Sequence, residues 1–317
     1  MIGSTLERRP ARRADSSAPR RPGRAGRTDR PGILWAAPAL LFFGVFALFP
    51  IVLVAWLSLT EWSGLGDPVF VGLDNWLALP QDPEAPGAVW STVRLTVLCW
   101  AVQTPLALLL GVWAAGQQRN RAVLSALFFL PLLLSTAAIA LLGHSMFDPN
   151  FGLAEVVGPL VGVPDGNFLG NSDLALYMVI GVLTWQFVPF HALIYQAAAR
   201  QIPRMLYEAA AIDGAGRFRR FLSITLPQLR HTIVASSVLI LVGSLTYFET
   251  VLLLTGGGPG TASRVLPLHM YIQGFRAFEM GDASVLAVLL VAVGTLLSVL
   301  VVRVTGYSRM TSEREGL

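Results

Sequence analysis

The residues best suited to contact a partner lie in one charged segment between two apolar stretches. Glu208-Ala209-Ala210 is followed after three residues by Gly214 and, after nine more, by Ile224-x-Leu226-Pro227. A carboxylate beside three alanines gives a surface of low bulk, which lets a partner approach closely and form charge-assisted contacts. Six arginines occur in the same segment: Arg200, Arg204, Arg217, Arg219, Arg220 and Arg230.

The local pattern predicts a helix–turn–helix unit. Pro203 suits the first position of a helix, and the residues from 204 to 212 are good helix formers. The run from Asp213 to Gly216 contains two glycines that end this helix, and residues 217 to 224 form a second one. From the residues alone the unit is either a lever that contacts another protein or an amphipathic anchor on anionic lipid.

Composition indicates the surroundings of this unit. The chain has 317 residues, of which 54% are hydrophobic and 13% are charged, about half the charged fraction of a soluble domain. Several apolar runs reach the roughly 20 residues that a membrane-spanning helix needs. We predict an all-α membrane protein with a disordered Arg/Pro-rich tail (1–32), a transmembrane domain (33–307) and a short C-terminal tail (308–317). Its six spans are 33–59, 89–116, 122–146, 174–199, 231–254 and 284–304, with a connecting loop at 200–230.

Arginine distribution predicts the orientation. All 23 basic residues are arginine, and 20 of them lie in the N-terminal tail, the 117–121 turn, the 200–230 loop and the C-terminal end. By the positive-inside rule these segments are cytoplasmic, and so are both termini. The three opposite loops hold only two arginines, Arg264 and Arg276, so we expect them to face outward.

Polar residues inside the spans are candidates for a transport path, since such residues are costly in a membrane. They are Gln103, Thr184, Gln186, Ser244, Thr246, Tyr247 and Glu249. Ser244 and Tyr247 are three residues apart and are expected to share a helical face. Aromatic and hydrogen-bonding side chains together suit a sugar, but each of these residues could equally join two helices.

The Glu-Ala-Ala, Gly and Ile-x-Leu-Pro spacing resembles the EAA signature of inner-membrane permeases of binding-protein-dependent ABC importers for carbohydrates, of the maltose and glycerol-phosphate type. Three further stretches are similar to that family: Phe70-Val71-Gly72-Leu73-Asp74-Asn75-Trp76, Trp185-Gln186-Phe187-Val188-Pro189-Phe190, and Phe248-Glu249 before Leu254-Thr255-Gly256-Gly257-Gly258-Pro259. The resemblance covers about residues 33 to 307 and implies the type I ABC importer permease architecture. One departure is Glu249, where the family often has aspartate.

This resemblance implies a role for each segment. The EAA helix would be the coupling helix that docks on a separate cytoplasmic ATPase dimer, and its residues are Tyr207, Glu208, Ala209, Ala210, Asp213 and Gly214. Sugar contacts would come from the fourth and fifth spans, which favours Gln186, Phe190, Ser244 and Tyr247, with Glu249 added. The implied partners are a second permease chain, the ATPase, an extracytoplasmic solute-binding protein and the lipid bilayer of the bacterial cell membrane.

Other function classes find less support in the sequence. A stand-alone secondary transporter that uses Glu249 as its ion site remains an alternative, although no inverted repeat is visible. The glycine-rich stretch at 256–258 lacks the Lys-Ser/Thr of a nucleotide-binding loop, so the chain is not expected to hydrolyse ATP–Mg itself. We expect no metal site, because one cysteine and four scattered histidines have no ligand spacing, no bound cofactor, no catalytic residues and no nucleic-acid partner.

Overall fold

The structure, a computed structural model, describes residues 35–116 and 126–304. The predicted tails (1–32 and 308–317) and the basic turn at 117–121 lie outside these residues. The chain divides into two compact units, one ending at Phe49 and the other beginning at Pro50. The first unit contains helix α1 (Ala37–Phe43) and a π-helical turn, Gly44–Leu48.

Helices and one hairpin make up the second unit. The hairpin pairs β1 (Thr60–Glu61) with β2 (Val69–Phe70) in antiparallel register, Thr60 opposite Phe70. The helices are α2 (Phe49–Leu57, which contains the boundary), α3 (Asp74–Ala78), α4 (Ala85–Ala114), α5 (Thr136–Met146), α6 (Leu153–Val157), α7 (Ala175–Ala199), α8 (Arg204–Ile212), α9 (Arg217–Arg220), α10 (Leu226–Gln228), α11 (Arg230–Ser244), α12 (Glu249–Leu254), α13 (Leu266–Tyr271) and α14 (Met280–Val304). Short 3₁₀ turns occur at Leu79–Gln81, Leu130–Leu133 and Gly158–Val161, and π-helical turns at Phe221–Thr225 and Ile272–Arg276.

Four helices among the described residues are long and apolar enough to cross a membrane. They are Trp35–Leu57, Ala85–Ala114, Ala175–Ala199 and Met280–Arg303. A fifth is obtained if Arg217–Gln228 and Arg230–Ser244, which are bent by 69° at their junction, count as one span. The described chain is therefore a helical membrane protein with four or five candidate spans.

The third and fifth expected spans are interrupted. In the third, a 3₁₀ turn that contains Pro131 ends before Ser135, whose Oγ caps α5 by accepting a hydrogen bond from the Ala138 N–H at 3.2 Å. The first segment ends at this turn because proline lacks the N–H that would continue a helix. The Ser135 cap then begins a second, separate helix. Residues 122–125 of this expected span lie outside the described chain.

In the fifth span the break lies between α11 and α12. The hydroxyl of Ser244 donates to the Leu241 carbonyl at 2.8 Å, and that of Thr246 donates to the Gly243 carbonyl at 2.7 Å. In these bonds side-chain hydroxyls compete with backbone N–H groups for the last carbonyls of α11, so the helix ends at Ser244. Four residues then connect it to α12. Non-helical backbone within a membrane-spanning segment is tolerated where it lines a cavity or is buried in protein.

The expected loop at 255–283 contains α13 and the start of α14. Leu266 and Leu268 of α13 are buried, and the Leu266 N–H donates to Thr92 Oγ1 on α4 at 2.7 Å. The apolar residues therefore hold this segment against α4 and make it part of the bundle.

An ion-pair clasp joins the chain before α4 to α13 and the residues that precede it. His269 Nε2 contacts Asp82 Oδ2 at 2.7 Å, and Arg264 pairs with Glu84. Burial raises the pKa of Asp82, but the Glu84 backbone N–H and His269 together outweigh it and hold this pKa below its usual value. A carboxyl whose pKa is lowered by folding stabilises the fold at neutral pH, and that contribution is lost as the pH falls through the lowered pKa.

The core forms mainly where α4 packs along α7. Gly111 of α4 is the point of closest approach, because a Cβ at this position would lie 2.6 Å from the Ala192 carbonyl oxygen and 2.7 Å from Tyr195 Cβ. Cys99 and Leu95 of α4 are buried with Leu183 of α7 in the same core.

Substituting Gly111 with alanine is expected to lower the free energy of unfolding by about 1–3 kcal/mol, because the new methyl group would push against the α7 backbone. The midpoint of thermal unfolding of the purified protein measures this. Gly181→Ala is the matched control, since a Cβ on Gly181 of α7 meets nothing within 4 Å. Equal shifts for the two variants would contradict the proposed close contact.

Candidate functional site

Helix α8 coincides with the helix expected from residues 204 to 212. Pro203 lies one position earlier than expected, as the N-cap with extended backbone. At the other end Gly214 has φ of +76°, the Gly214 N–H donates to the Ala211 carbonyl at 3.1 Å, and the Ala215 N–H donates to the Ala210 carbonyl at 2.8 Å. These two bonds form a Schellman motif, which requires a left-handed residue at its turn.

One face of α8 is open to solution and the other is attached to the bundle. Met205, Glu208, Ala209 and Ile212 are exposed and follow helical spacing, with Met205 70% and Ile212 88% exposed. On the opposite face the Tyr207 hydroxyl lies 2.8 Å from Thr225 Oγ1. The helix is therefore held by Tyr207 while it presents a mixed apolar and acidic surface.

The other predicted coupling residues frame this surface. Ala210 is half-buried towards the bundle, and Asp213 is the exposed C-cap of α8. Among the described residues Glu208 forms no ion pair. A carboxylate without a partner beside exposed apolar side chains provides the contacts of a protein docking surface.

Substituting Gly214 with alanine should destabilise the end of α8 by about 1–2 kcal/mol, since a Cβ in the left-handed region clashes with its own backbone. A Cβ there would meet no other atom within 4 Å, so the cost is one of backbone conformation alone. We expect amide hydrogen exchange at residues 210–215 to accelerate in Gly214→Ala. Gly214→Asn should be affected less, because asparagine tolerates this conformation; equal exchange in both variants would contradict this explanation.

The second group of predicted residues converges on a cleft between α5, α7 and the α11–α12 break, here called the aromatic cleft. The rings of Phe187 and Tyr247 stack at 5.2 Å with an interplanar angle of 20°. Phe190 and Glu249 also line the cleft, which has a volume of about 440 Å³. Glu249 is exposed at the start of α12. An aromatic surface beside an open carboxylate can contact a sugar ring and accept hydrogen bonds from its hydroxyls.

Four of the predicted path residues do not line the aromatic cleft: Gln103, Thr184, Gln186 and Ser244. Gln186 is buried, and its Nε2 donates to Thr136 Oγ1 at 3.1 Å, so it supports a lining residue from behind. Ser244 is buried, and its Oγ lies 2.9 Å from Thr96 Oγ1 of α4, so it joins α11 to α4. The common helical face expected for Ser244 and Tyr247 was wrong, because α11 ends at Ser244.

Three polar lining residues were missed by the sequence reading: Thr136, His191 and Thr250. His191 is buried with Nδ1 2.9 Å from Ser236 Oγ, and it follows Phe187 by four residues on α7, a helical spacing that could have revealed it. Thr250 is 1% exposed, and its hydroxyl has no hydrogen-bond partner among the described residues. A buried hydroxyl without a partner is available to a ligand.

Metal binding by residues 35–116 and 126–304 would need several ligand side chains close together. In these ranges no three His, Cys, Asp or Glu residues are grouped closely enough to hold a metal ion. The aromatic cleft itself offers hydrogen-bonding groups, aromatic rings and one carboxylate, that of Glu249.

Comparisons with known proteins agree on one class. Residues 107–307 match the family described as "Binding-protein-dependent transport system inner membrane component". The probable ABC transporter permease protein YurN of Bacillus subtilis is 34% identical over 84% of this chain and 93% of its own length. The trehalose/maltose transport system permease protein MalF of Thermococcus litoralis is 30% identical over 82% of this chain and 87% of its own. Among solved structures, a chain of a bacterial ABC transporter involved in alginate import is similar in fold, with a TM-score of 0.77, 23% identity and coverage of 88% and 96%.

Proposed function

Because the chain belongs to the family of binding-protein-dependent transport system inner membrane components, we propose that it forms half of the translocation path of an ATP-driven carbohydrate importer. The protein is a membrane permease rather than an enzyme. The aromatic cleft is the observation that carries the proposal for carbohydrate, since its stacked rings, free hydroxyl and single carboxylate match the chemistry of a sugar. Relatives named for trehalose/maltose, arabinooligosaccharides and multiple sugars support the same substrate class.

Helix α8 is proposed as the element through which ATP hydrolysis drives the permease. Its exposed face, with Glu208 and Ala209, docks on a cytoplasmic ATPase subunit. The Gly214 turn and the Tyr207–Thr225 hydrogen bond transmit movement of α8 to the residues that lead into α11. Because α11 ends at the aromatic cleft, a shift of its first residues can change the access to that cleft.

The proposed topology has six spans with both termini in the cytoplasm of a bacterial cell. In this proposal the six crossings are the four long helices, the bent fifth and the interrupted third segment around α5. Arginine distribution supports the orientation, as 20 of 23 arginines lie in segments assigned to the inside.

A complete transporter would need partners for the other tasks. We expect a second permease chain to close the path, a solute-binding protein to deliver the sugar, and an ATPase dimer to bind and hydrolyse ATP–Mg. This chain would bind no cofactor and no nucleic acid. Family membership disfavours the stand-alone, ion-coupled transporter that uses Glu249.

Reconstitution in proteoliposomes tests the proposal. Sugar uptake should require ATP, the ATPase and the solute-binding protein, and a proton gradient should not replace ATP. Uptake by this chain alone, driven by a proton gradient, would contradict it.

A further inference from the structure

A second cleft lies at the opposite end of α4 from the ion-pair clasp, and its lining includes Tyr207 and Thr225, the pair proposed above to transmit movement of α8. It has a volume of about 900 Å³ and lies between the last residues of α4, the last residues of α7, and the segment from α8 to the π-helical turn Phe221–Thr225. Four arginines line it: Arg200, Arg204, Arg217 and Arg220. We call it the arginine cleft.

The arginine cleft has no counter-charge in its lining. None of its lining residues is acidic, and none of the four arginines forms an ion pair with a described residue. The two acids of the same segment, Glu208 and Asp213, do not line it. The neighbouring residues 117–125, outside the described chain, contain two arginines and no acid in their sequence. Four guanidinium groups around one concavity strongly favour an anion.

The position and the remaining lining indicate what kind of anion. The cleft begins where two apolar spans end, at Ala115 and Ala199, which is the depth at which lipid headgroups lie. Val112, Ile202 and Phe221 provide an apolar wall next to the arginines. A phospholipid has the same division, with a phosphate beside an apolar glycerol-ester region, and basic pockets between spans on the cytoplasmic side suit anionic headgroups.

We propose that the arginine cleft is a binding site for the phosphate headgroup of an anionic phospholipid. Arg217 and Arg220, three residues apart on one side of α9, would contact the phosphate together with Arg200. The proposal rests on the proposed position of this segment at the cytoplasmic membrane surface. A lipid held here would touch the ends of α4 and α7 and also the residues from Arg217 to Thr225, which contact α8 through Tyr207. It would therefore stabilise the position of α8.

The test uses the complete transporter complex in nanodiscs that contain phosphatidylcholine with phosphatidylglycerol, and native mass spectrometry counts the retained lipids. Wild type is expected to retain phosphatidylglycerol preferentially. Arg217→Gln/Arg220→Gln should reduce this preference roughly 30-fold, since each arginine near a membrane surface contributes about a fivefold preference for anionic lipid. Arg219→Gln is the matched control, because Arg219 lies on α9 but does not line the cleft.

Further arms separate the remaining explanations. Arg217→Lys/Arg220→Lys should restore most of the preference for phosphatidylglycerol, because lysine keeps the charge. If the preference stays lost in the lysine variant, the two arginines are required for the structure and not for their charge, which would contradict a headgroup contact. In discs of phosphatidylcholine alone, equilibrium dialysis measures binding of inorganic phosphate; tight phosphate binding without any lipid preference would assign the site to a soluble phosphate and overturn the lipid assignment. Equal phosphatidylglycerol retention by wild type and the double glutamine variant would overturn the site itself. Sugar uptake is not part of the readout, so these outcomes are independent of the proposed transport function.

Discussion

Replacing Glu208 with arginine is expected to release the ATPase from the purified transporter while the permease still inserts into the membrane. Glu208 is exposed on the open face of α8, and its side chain forms no ion pair with any residue that the structure describes, so the fold of the chain does not depend on it. Reversal of a charge that is buried in a protein interface costs about 2–5 kcal/mol, which corresponds to affinity lowered by roughly 30-fold to several thousand-fold. Co-purification with a tagged permease and ATP hydrolysis by the eluted complex measure the loss.

The matched control is Glu155→Arg, which makes the same charge change on an exposed residue of α6, away from α8. This variant should retain the ATPase fully. Glu208→Gln should be intermediate, because it removes the charge without reversing it. If the Glu208→Arg transporter assembles and hydrolyses ATP at the wild-type rate, α8 is not the docking helix.

Local chemistry explains why helix α8 and the turn that ends it could be predicted closely from sequence. Helix formers from Arg204 to Ile212 and a glycine at the position where a left-handed residue is needed determine α8 without help from distant residues. The helical position predicted for Pro203 was wrong by one residue, since Pro203 is the N-cap and not the first residue of α8. Both positions suit the fixed φ of proline, so the sequence does not distinguish them. Here the structure adds a reason for the spacing to Gly214, namely the two hydrogen bonds that end the helix.

The aromatic cleft could be predicted only in part, because it depends on contacts between distant parts of the chain. Apolar run length indicated one continuous fifth span, but hydroxyl groups of Ser244 and Thr246 bond to nearby carbonyls and end α11. That break places Tyr247 against Phe187, 60 residues earlier, and turns Ser244 towards Thr96 of α4. Hydropathy does not report which of two neighbouring polar residues faces a cavity, so Ser244 was grouped with Tyr247, while Thr136 and Thr250 were missed.

Replacing Glu249 with arginine is expected to reduce ATP-driven sugar uptake by about 10- to 150-fold without releasing the ATPase. Glu249 lines the aromatic cleft beside Tyr247 and Thr250, and no arginine lines this cleft. A hydrogen bond from a sugar hydroxyl to a charged carboxylate contributes about 1.5–3 kcal/mol, and an arginine, which has no acceptor, removes it. Glu249→Gln keeps an acceptor, so its uptake should fall less. Uptake and ATPase retention are measured on the same reconstituted complexes.

Charge at Glu249 also distinguishes substrate recognition from ion coupling. If the carboxylate only accepts hydrogen bonds from sugar, uptake by Glu249→Gln should still depend on ATP and should show the same insensitivity to a proton gradient as wild type. Asp173→Asn and Asp173→Arg, made on an exposed acid outside the cleft, should match wild type and so control for the change in charge. Normal uptake by Glu249→Arg would remove this residue from the path and leave the stacked rings of Phe187 and Tyr247, with Phe190 and the hydroxyls of Thr136 and Thr250, as the groups that face the sugar.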